Sequence, residues 1–333
     1  MTARVPAKVN LQLSVGPPRA DGYHDLVTVF HALALFDEVT VAPAETDSVR
    51  VSGEGAASVP LDGDNLAARA VAALTDAVGP GCRDEPGVAI EIRKRIPVAA
   101  GLAGGSADAA GALVACNELW GTGLSQQELA EVAARVGSDV AFALLGGTAI
   151  GLGRGEQVTP ALVSGTYHWV LAFAAEQLST AAVYAACDRL RATQADRATQ
   201  ADRAHGDGPG ESAAGRPTDG SWAEPQLSTA LMAALRSGDP TEVGPLLVND
   251  LEPAAMSLLP RLRRALAAGR EHGALGAIVS GSGPTCAYLA RDGAHARDLA
   301  VALTSADVCR SVVSVTGPAP GATVLSPAAD QRW

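Results

Sequence analysis

The sequence predicts an α+β fold in two domains, and three observations carry that expectation. The chain has 333 residues, more than one compact domain usually holds, and its 47% apolar content suffices for a core in each half. Val9, Leu11, Leu13 and Val15 alternate with Lys8, Asn10, Gln12 and Ser14, the two-residue period of a strand, whereas Ala110, Leu113, Val114 and Trp120 fall near one face at helical spacing. Near the C-terminus, Ala277-Ile278-Val279 enters the tight loop Ser280-Gly281-Ser282-Gly283 before Cys286-Ala287-Tyr288-Leu289, a strand, loop, strand pattern that places a second sheet there.

Composition narrows the function classes. The net charge of −11, from 36 acidic against 25 basic residues, leaves no broad basic footprint for nucleic acid, so any nucleotide has to be held locally. The cysteines Cys82, Cys116, Cys187, Cys286 and Cys309 are odd in number and contain no Cys-x-x-Cys pair. That pattern argues against a disulfide framework or a zinc site and for small core residues in a reducing cytoplasm. No run approaches ~18 consecutive apolar residues, and Lys8, Asn10 and Gln12 interrupt the N-terminus, so neither a membrane partner nor export is expected.

Taken in order, the first strand places Lys8 and Asn10 on one face, ~6.6 Å apart along its axis, where both reach a single ligand group. A solvated outer face explains the same pattern. Pro17, Pro18, Asp21 and Gly22 break the strand and present Tyr23 and His24, an aromatic and an imidazole that together suit a base. Residues 27–41 read as two or three antiparallel strands with Asp37-Glu38 as a turn, and residues 65–78 as a helix with Leu66, Ala70 and Leu74 inward. Val88, Ile90 and Ile92 form a further strand that Pro97 stops.

The stretch Pro97-Val98-Ala99-Ala100-Gly101-Leu102-Ala103-Gly104-Gly105-Ser106-Ala107 then opens a helix, with Ser106 and Asp108 suited to its first turn. Strand, bare loop, helix is the geometry of a phosphate site. Gly101, Gly104 and Gly105 permit positive φ and close approach of an anion, and the helix start favours negative charge. The loop lacks the Gly-Lys-Ser/Thr ending of a P-loop and the glycine spacing of a dinucleotide fold. Ser125-Gln126-Gln127-Glu128 is a capping box that starts a helix ending at Gly137. Asp139 follows at the next helix start, where capping alone accounts for an aspartate at roughly 1 kcal/mol. Residues 191–221 turn abruptly to Ala, Gly, Asp, Arg, Gln and Pro, with Ala-Thr-Gln-Ala-Asp-Arg in tandem, and are expected to be a disordered insert.

The loop resembles the phosphate loop of the GHMP kinases, with Ala99, Ala100 and Ala103 where many relatives have glycine. Pro6-Ala7-Lys8-Val9-Asn10-Leu11, Asp21-Gly22-Tyr23-His24-Asp25-Leu26 and Asn249-Asp250-Leu251-Glu252-Pro253 are similar, in this order, to segments of the branch acting on a cytidine-diphospho alcohol, and Ser280-Gly281-Ser282-Gly283-Pro284-Thr285 after them resembles the third motif of the GHMP kinases. The resemblance implies a ribosomal protein S5 domain 2-like N-terminal domain over residues 1–157 and a ferredoxin-like C-terminal domain over residues 158–333. It also implies ATP and Mg²⁺, a small-molecule cytidine-diphospho substrate, and transfer to an alcohol. Residues 97–107 would bind ATP, Lys8 and Asp139 would be catalytic, and Asn10, Tyr23 and His24 would bind the substrate. Metal ligands and oligomeric state stay open.

Overall fold

The alternating residues 8–15 lie inside β1 (Thr2–Pro18), which pairs antiparallel with the long β2 (His24–Ala44). Both faces of β1 are covered, since Lys8, Asn10 and Gln12 are as buried as Val9 and Leu11. Lys8 and Asn10 therefore line an interior cleft and not an outer edge, and Gln12 is covered by the segment from Gln226 to Ser228. The computed structural model that establishes this describes residues 1–325 apart from 80, 82–85 and 206–223.

Residues 27–41, expected to split at Asp37-Glu38, form one continuous strand. The register shifts opposite Pro6 and Ala7, and the fully buried Asp37 accepts from Lys94 Nζ and from two backbone N–H groups, so it has no need of the solvent a turn would offer. The sheet continues from β2 through β4 (Gly87–Lys94) to β3 (Ser48–Gly53). On β2 also pairs β5 (Thr148–Gly153), which carries β6 (Gln157–Pro160) as a hairpin.

Four helices cover this sheet: α1 (Leu66–Val78), α2 (Gly104–Leu119), α3 (Gln126–Val136) and α4 (Ser138–Leu145). Their ends follow local chemistry. Asn65 Oδ1 accepts from Ala67 N–H at 2.9 Å to start α1, and Ser125 and Glu128 close the expected capping box of α3. The central helix α2 lies directly on β1 and β2, because a Cβ at Gly111 would stand 2.7 Å from Val5 and 2.8 Å from Val39. Val5, Val9, Val39, Leu74 and Leu113 fill the core between them.

The second sheet is antiparallel, ordered β11 (Ser311–Gly317), β7 (Tyr167–Phe173), β10 (Cys286–Ala290), β9 (Gly276–Val279). Numbered along the chain this is 4-1-3-2, the ferredoxin-like order, with α5 (Thr180–His205) and the short α6 (Thr229–Ser237) and α7 (Pro240–Val243) following β7. Helices α8 (Glu252–Leu258), α9 (Arg261–Glu271) and α10 (Gly293–Ser305) complete the domain around Val183, Leu251, Leu266, Tyr288 and Leu303. Sheet membership crosses the 157/158 boundary: β8 (Val248–Asn249) and β12 (Thr323–Val324) both return to pair with β1. The insert expected to lack structure begins inside α5, whose Ala-, Gln- and Arg-rich repeat favours helix as far as His205; residues 206–221 lie outside the described residues. Among the described residues Cys116, Cys187, Cys286 and Cys309 form no disulfide, and no helix is long and apolar enough to cross a membrane. Cys82 lies outside the described residues.

Candidate active site

Strands β1 and β2, the glycine-rich loop, the start of α4 and the start of α5 enclose a cleft of about 800 Å³. At its base Lys8 is 6% exposed. Its Nζ donates to Asn10 Oδ1 at 2.6 Å, stands 3.7 Å from Asp139 Oδ2 and lies over the Phe30 ring at 5.7 Å. Burial pushes the Lys8 ammonium below its ordinary value, and the charge of Asp139 opposes that shift. The pair is thus a desolvated amine whose charged form one carboxylate favours against burial.

Asp139 occupies the first turn of α4 but makes no capping hydrogen bond, so capping does not account for its side chain. The carboxylate points instead to Lys8 in a field that the helix dipole also favours. Asn10 lines the cleft with its amide already engaged: its Oδ1 holds Lys8 and its Nδ2 donates to Thr28 Oγ1 at 2.8 Å.

The loop departs from its expected geometry in one respect. Positive φ falls on Ala99, Gly101 and Ala103, whereas Gly104 and Gly105 are already in α2. Alanine in the left-handed region costs about 1 kcal/mol relative to glycine, so Ala103→Gly is expected to leave stability unchanged or raise it by up to that amount in chemical denaturation. Ala99, Ala100, Gly101, Ala103, Gly104, Gly105 and Ser106 line the cleft; Pro97 and Val98 face a smaller cavity of about 330 Å³ behind the loop. Leu102 and Ala107 point into the core. Asp108, expected in the first turn, is buried one turn further in and binds Lys94 at 2.6 Å.

The loop at residues 280–285 clamps the first. Ser280 Oγ donates to the Gly101 carbonyl at 3.0 Å, Lys8 N–H donates to the Leu102 carbonyl at 3.2 Å, and a Cβ at Gly101 would overlap the Ser280 carbonyl oxygen. Gly101→Ala, adding that overlap to a φ of 75°, is expected to cost about 2 kcal/mol and to weaken ATP binding, measured by denaturation and nucleotide titration. The Asn-Asp-Leu-Glu-Pro stretch supports this clamp from behind: Asn249 Nδ2 donates to the Val279 and Gly281 carbonyls at 2.7 Å each, and Glu252 accepts from Val279 N–H at 2.9 Å.

At the open end, Tyr23 is 53% exposed whereas His24 is buried, its Nε2 3.0 Å from Asp188 Oδ1 and its ring 5.1 Å from that of Tyr184. Tyr184, Arg154, Phe30 and Thr180, whose hydroxyl meets that of Ser282 at 2.9 Å, line the cleft without having stood out in the sequence. Tyr184 sits among the small and apolar residues of α5, where helical spacing alone cannot separate a cleft-facing ring from a core one.

Beneath the loop lies a buried cluster of charge. Lys94 Nζ donates to Asp37 at 2.5 Å, Asp108 at 2.6 Å and the Gly104 carbonyl at 3.2 Å. Burial alone would lower the Lys94 ammonium, but Asp108 and Asp37 outweigh it and hold it above its ordinary value. Burial raises Asp108 to about 8, with its Oδ1 unpartnered.

The GHMP kinases N terminal domain matches residues 65–147 and the GHMP kinases C terminal domain residues 231–308. The 4-diphosphocytidyl-2-C-methyl-D-erythritol kinase of Thermobifida fusca is 51% identical, covering 98% of each chain; that of Nocardia farcinica is 52% identical, covering 97% of this chain and 96% of its own. A crystal structure of 4-(cytidine 5′-diphospho)-2C-methyl-D-erythritol kinase superposes with a TM-score of 0.70 at 32% identity, over 95% of this chain and 98% of that one. Carried over nearly its whole length by such likeness, the chain belongs to the 4-diphosphocytidyl-2-C-methyl-D-erythritol kinase family of GHMP kinases.

Proposed function

We propose that the protein transfers the γ-phosphoryl group of ATP to the 2-hydroxyl of 4-(cytidine 5′-diphospho)-2-C-methyl-D-erythritol. The observation that carries this reading is the Lys8–Asp139 pair, 3.7 Å apart, facing the glycine-rich loop across one cleft. Phosphoryl transfer needs the triphosphate held, the hydroxyl aimed at the γ-phosphorus, and charge on the equatorial oxygens balanced. The backbone N–H groups of the cleft-lining residues between Ala99 and Ser106 and the dipole of α2 suit the first need. Asp139 Oδ2 accepts the hydroxyl proton as the new O–P bond forms, and the Lys8 ammonium balances the charge developing beside it. Asn10 keeps that ammonium aimed.

No group of three or more His, Cys, Asp or Glu side chains suits a metal among the described residues, so a protein cage is not what the cleft offers. Ser106, which lines the cleft at the start of α2, would supply a hydroxyl to a Mg²⁺ brought by the nucleotide. Bound there, the ion would neutralise charge on the nucleotide's phosphates. Tyr23 and Tyr184 supply aromatic faces for the two sides of the cytosine, each stack contributing ~1–3 kcal/mol, and His24, its ring packed on Tyr184, pairs with the base.

The test is ADP release with Mg-ATP and, in parallel, the cytidine-diphospho substrate, homoserine, mevalonate and galactose, with products identified by phosphorus NMR. Turnover is expected with the first only. Turnover with another alcohol would retain a GHMP kinase and overturn the substrate.

A further inference from the structure

The catalytic pair and the aromatic end leave one strongly charged group of the cleft without a task. Arg154 stands at the tip of the β5–β6 hairpin, in the turn Gly153-Arg154-Gly155-Glu156. The turn is well fixed: Gly153 and Gly155 take φ of 71° and 100°, and the Glu156 carboxylate accepts from Arg154 N–H at 2.6 Å. Its guanidinium carbon lies 4.9 Å above the Tyr23 ring, and the side chain lines the cleft. Arg154 has no carboxylate within ion-pair distance of its guanidinium among the described residues, unlike Lys8, which Asp139 faces.

We infer that Arg154 binds the diphosphate of the cytidine substrate and so sets its selectivity for a nucleotide over a nucleoside. The inference rests on the function proposed above. Lys8 and Arg154 are the Lys and Arg side chains lining the cleft, and Lys8 is committed to the reacting hydroxyl at the base. A substrate spanning from that base to the aromatic end carries two phosphates between them, and the cation resting on the Tyr23 face is the one placed to meet them. A guanidinium suits the role, because its planar fork donates to two phosphate oxygens while it stays charged at every working pH. Stacking on Tyr23 holds the fork in place before the ligand arrives.

The experiment is calorimetric binding of CDP and of cytidine to the full chain with the ATP site filled by a non-hydrolysable ATP analogue, followed by steady-state kinetics. Wild-type protein is expected to bind CDP at least tenfold tighter than cytidine, and Arg154→Met to shrink that ratio to near one. Arg154→Lys should recover part of it. In turnover, KM for the cytidine-diphospho substrate should rise about tenfold in Arg154→Met, with KM for ATP within twofold, and the rise should shrink at high salt as the lost attraction is screened in the wild type. An undiminished CDP-to-cytidine ratio in Arg154→Met overturns the inference, as does a rise confined to KM for ATP. Wild-type protein that binds neither CDP nor cytidine would instead overturn the cytidine reading on which it rests.

Discussion

Asp139→Asn is expected to bind ATP and the cytidine-diphospho substrate nearly as the wild type does while losing about 10³-fold or more in kcat. The amide keeps the size of the side chain and its place in the first turn of α4, where no capping bond is lost. What disappears is the acceptor for the hydroxyl proton and the charge facing Lys8 at 3.7 Å. Steady-state kinetics with nucleotide and substrate titrations separate the two effects, and undiminished turnover would remove Asp139 from the mechanism. Lys8→Met should be comparably damaging, and the double variant little worse than either, since the two groups act as a unit. Lys8 also fixes a pH dependence. Its folded-state value lies below 10.5 because burial dominates, so the required ammonium is lost as pH rises through that lowered value, and kcat/KM should fall there, earlier than an exposed lysine would dictate.

What the sequence announced and what it hid divide along a physical line. The phosphate loop, the capping box at Ser125 and the strand bearing Lys8 and Asn10 are local patterns, set by residues within a few positions of one another. The pairing of Lys8 with Asp139 joins residues more than a hundred positions apart, and only the family resemblance brought them together. Asp37 shows the converse failure. Beside Glu38 it reads as a turn, yet a lysine and two N–H groups arriving from β4 and the segment after it turn the same carboxylate into a buried acceptor. Tyr184 and Arg154 were hidden for a different reason, because a ring on an alanine-rich helix and an arginine between glycines are the commonest of surface features until the chain folds them onto one cleft. Even the loop's glycines misled: the left-handed residues are Ala99, Gly101 and Ala103, a conformation that the surrounding packing and not the residue type imposes.

The cluster beneath the loop yields the largest effect on stability. Asp37→Ala is expected to cost about 3–5 kcal/mol, because two backbone N–H groups lose their acceptor at about 1–3 kcal/mol each while Lys94 keeps only Asp108. It strips Lys94 of a 2.5 Å acceptor and leaves the N–H groups of Arg95 and Ile96 without theirs, directly before the phosphate loop. Asp108 behaves oppositely. Two carboxylates on one ammonium in a desolvated site leave an excess negative charge, and the unpartnered Oδ1 of Asp108 is where a proton relieves it. Its carboxyl, raised to about 8 in the folded protein against 3.8 ordinarily, binds its proton more tightly folded than unfolded. The stabilisation it contributes is therefore complete below about pH 4 and is lost as pH rises toward 8. Asp108→Asn keeps an oxygen for Lys94 and carries no charge to desolvate. Urea denaturation from pH 5 to 9 should show the wild type losing stability relative to Asp108→Asn as pH rises, with the variant the more stable at pH 9. Parallel curves for the two proteins would mean that Asp108 is ionised throughout, and Lys94 would then hold two full negative charges beneath the loop that receives the phosphates.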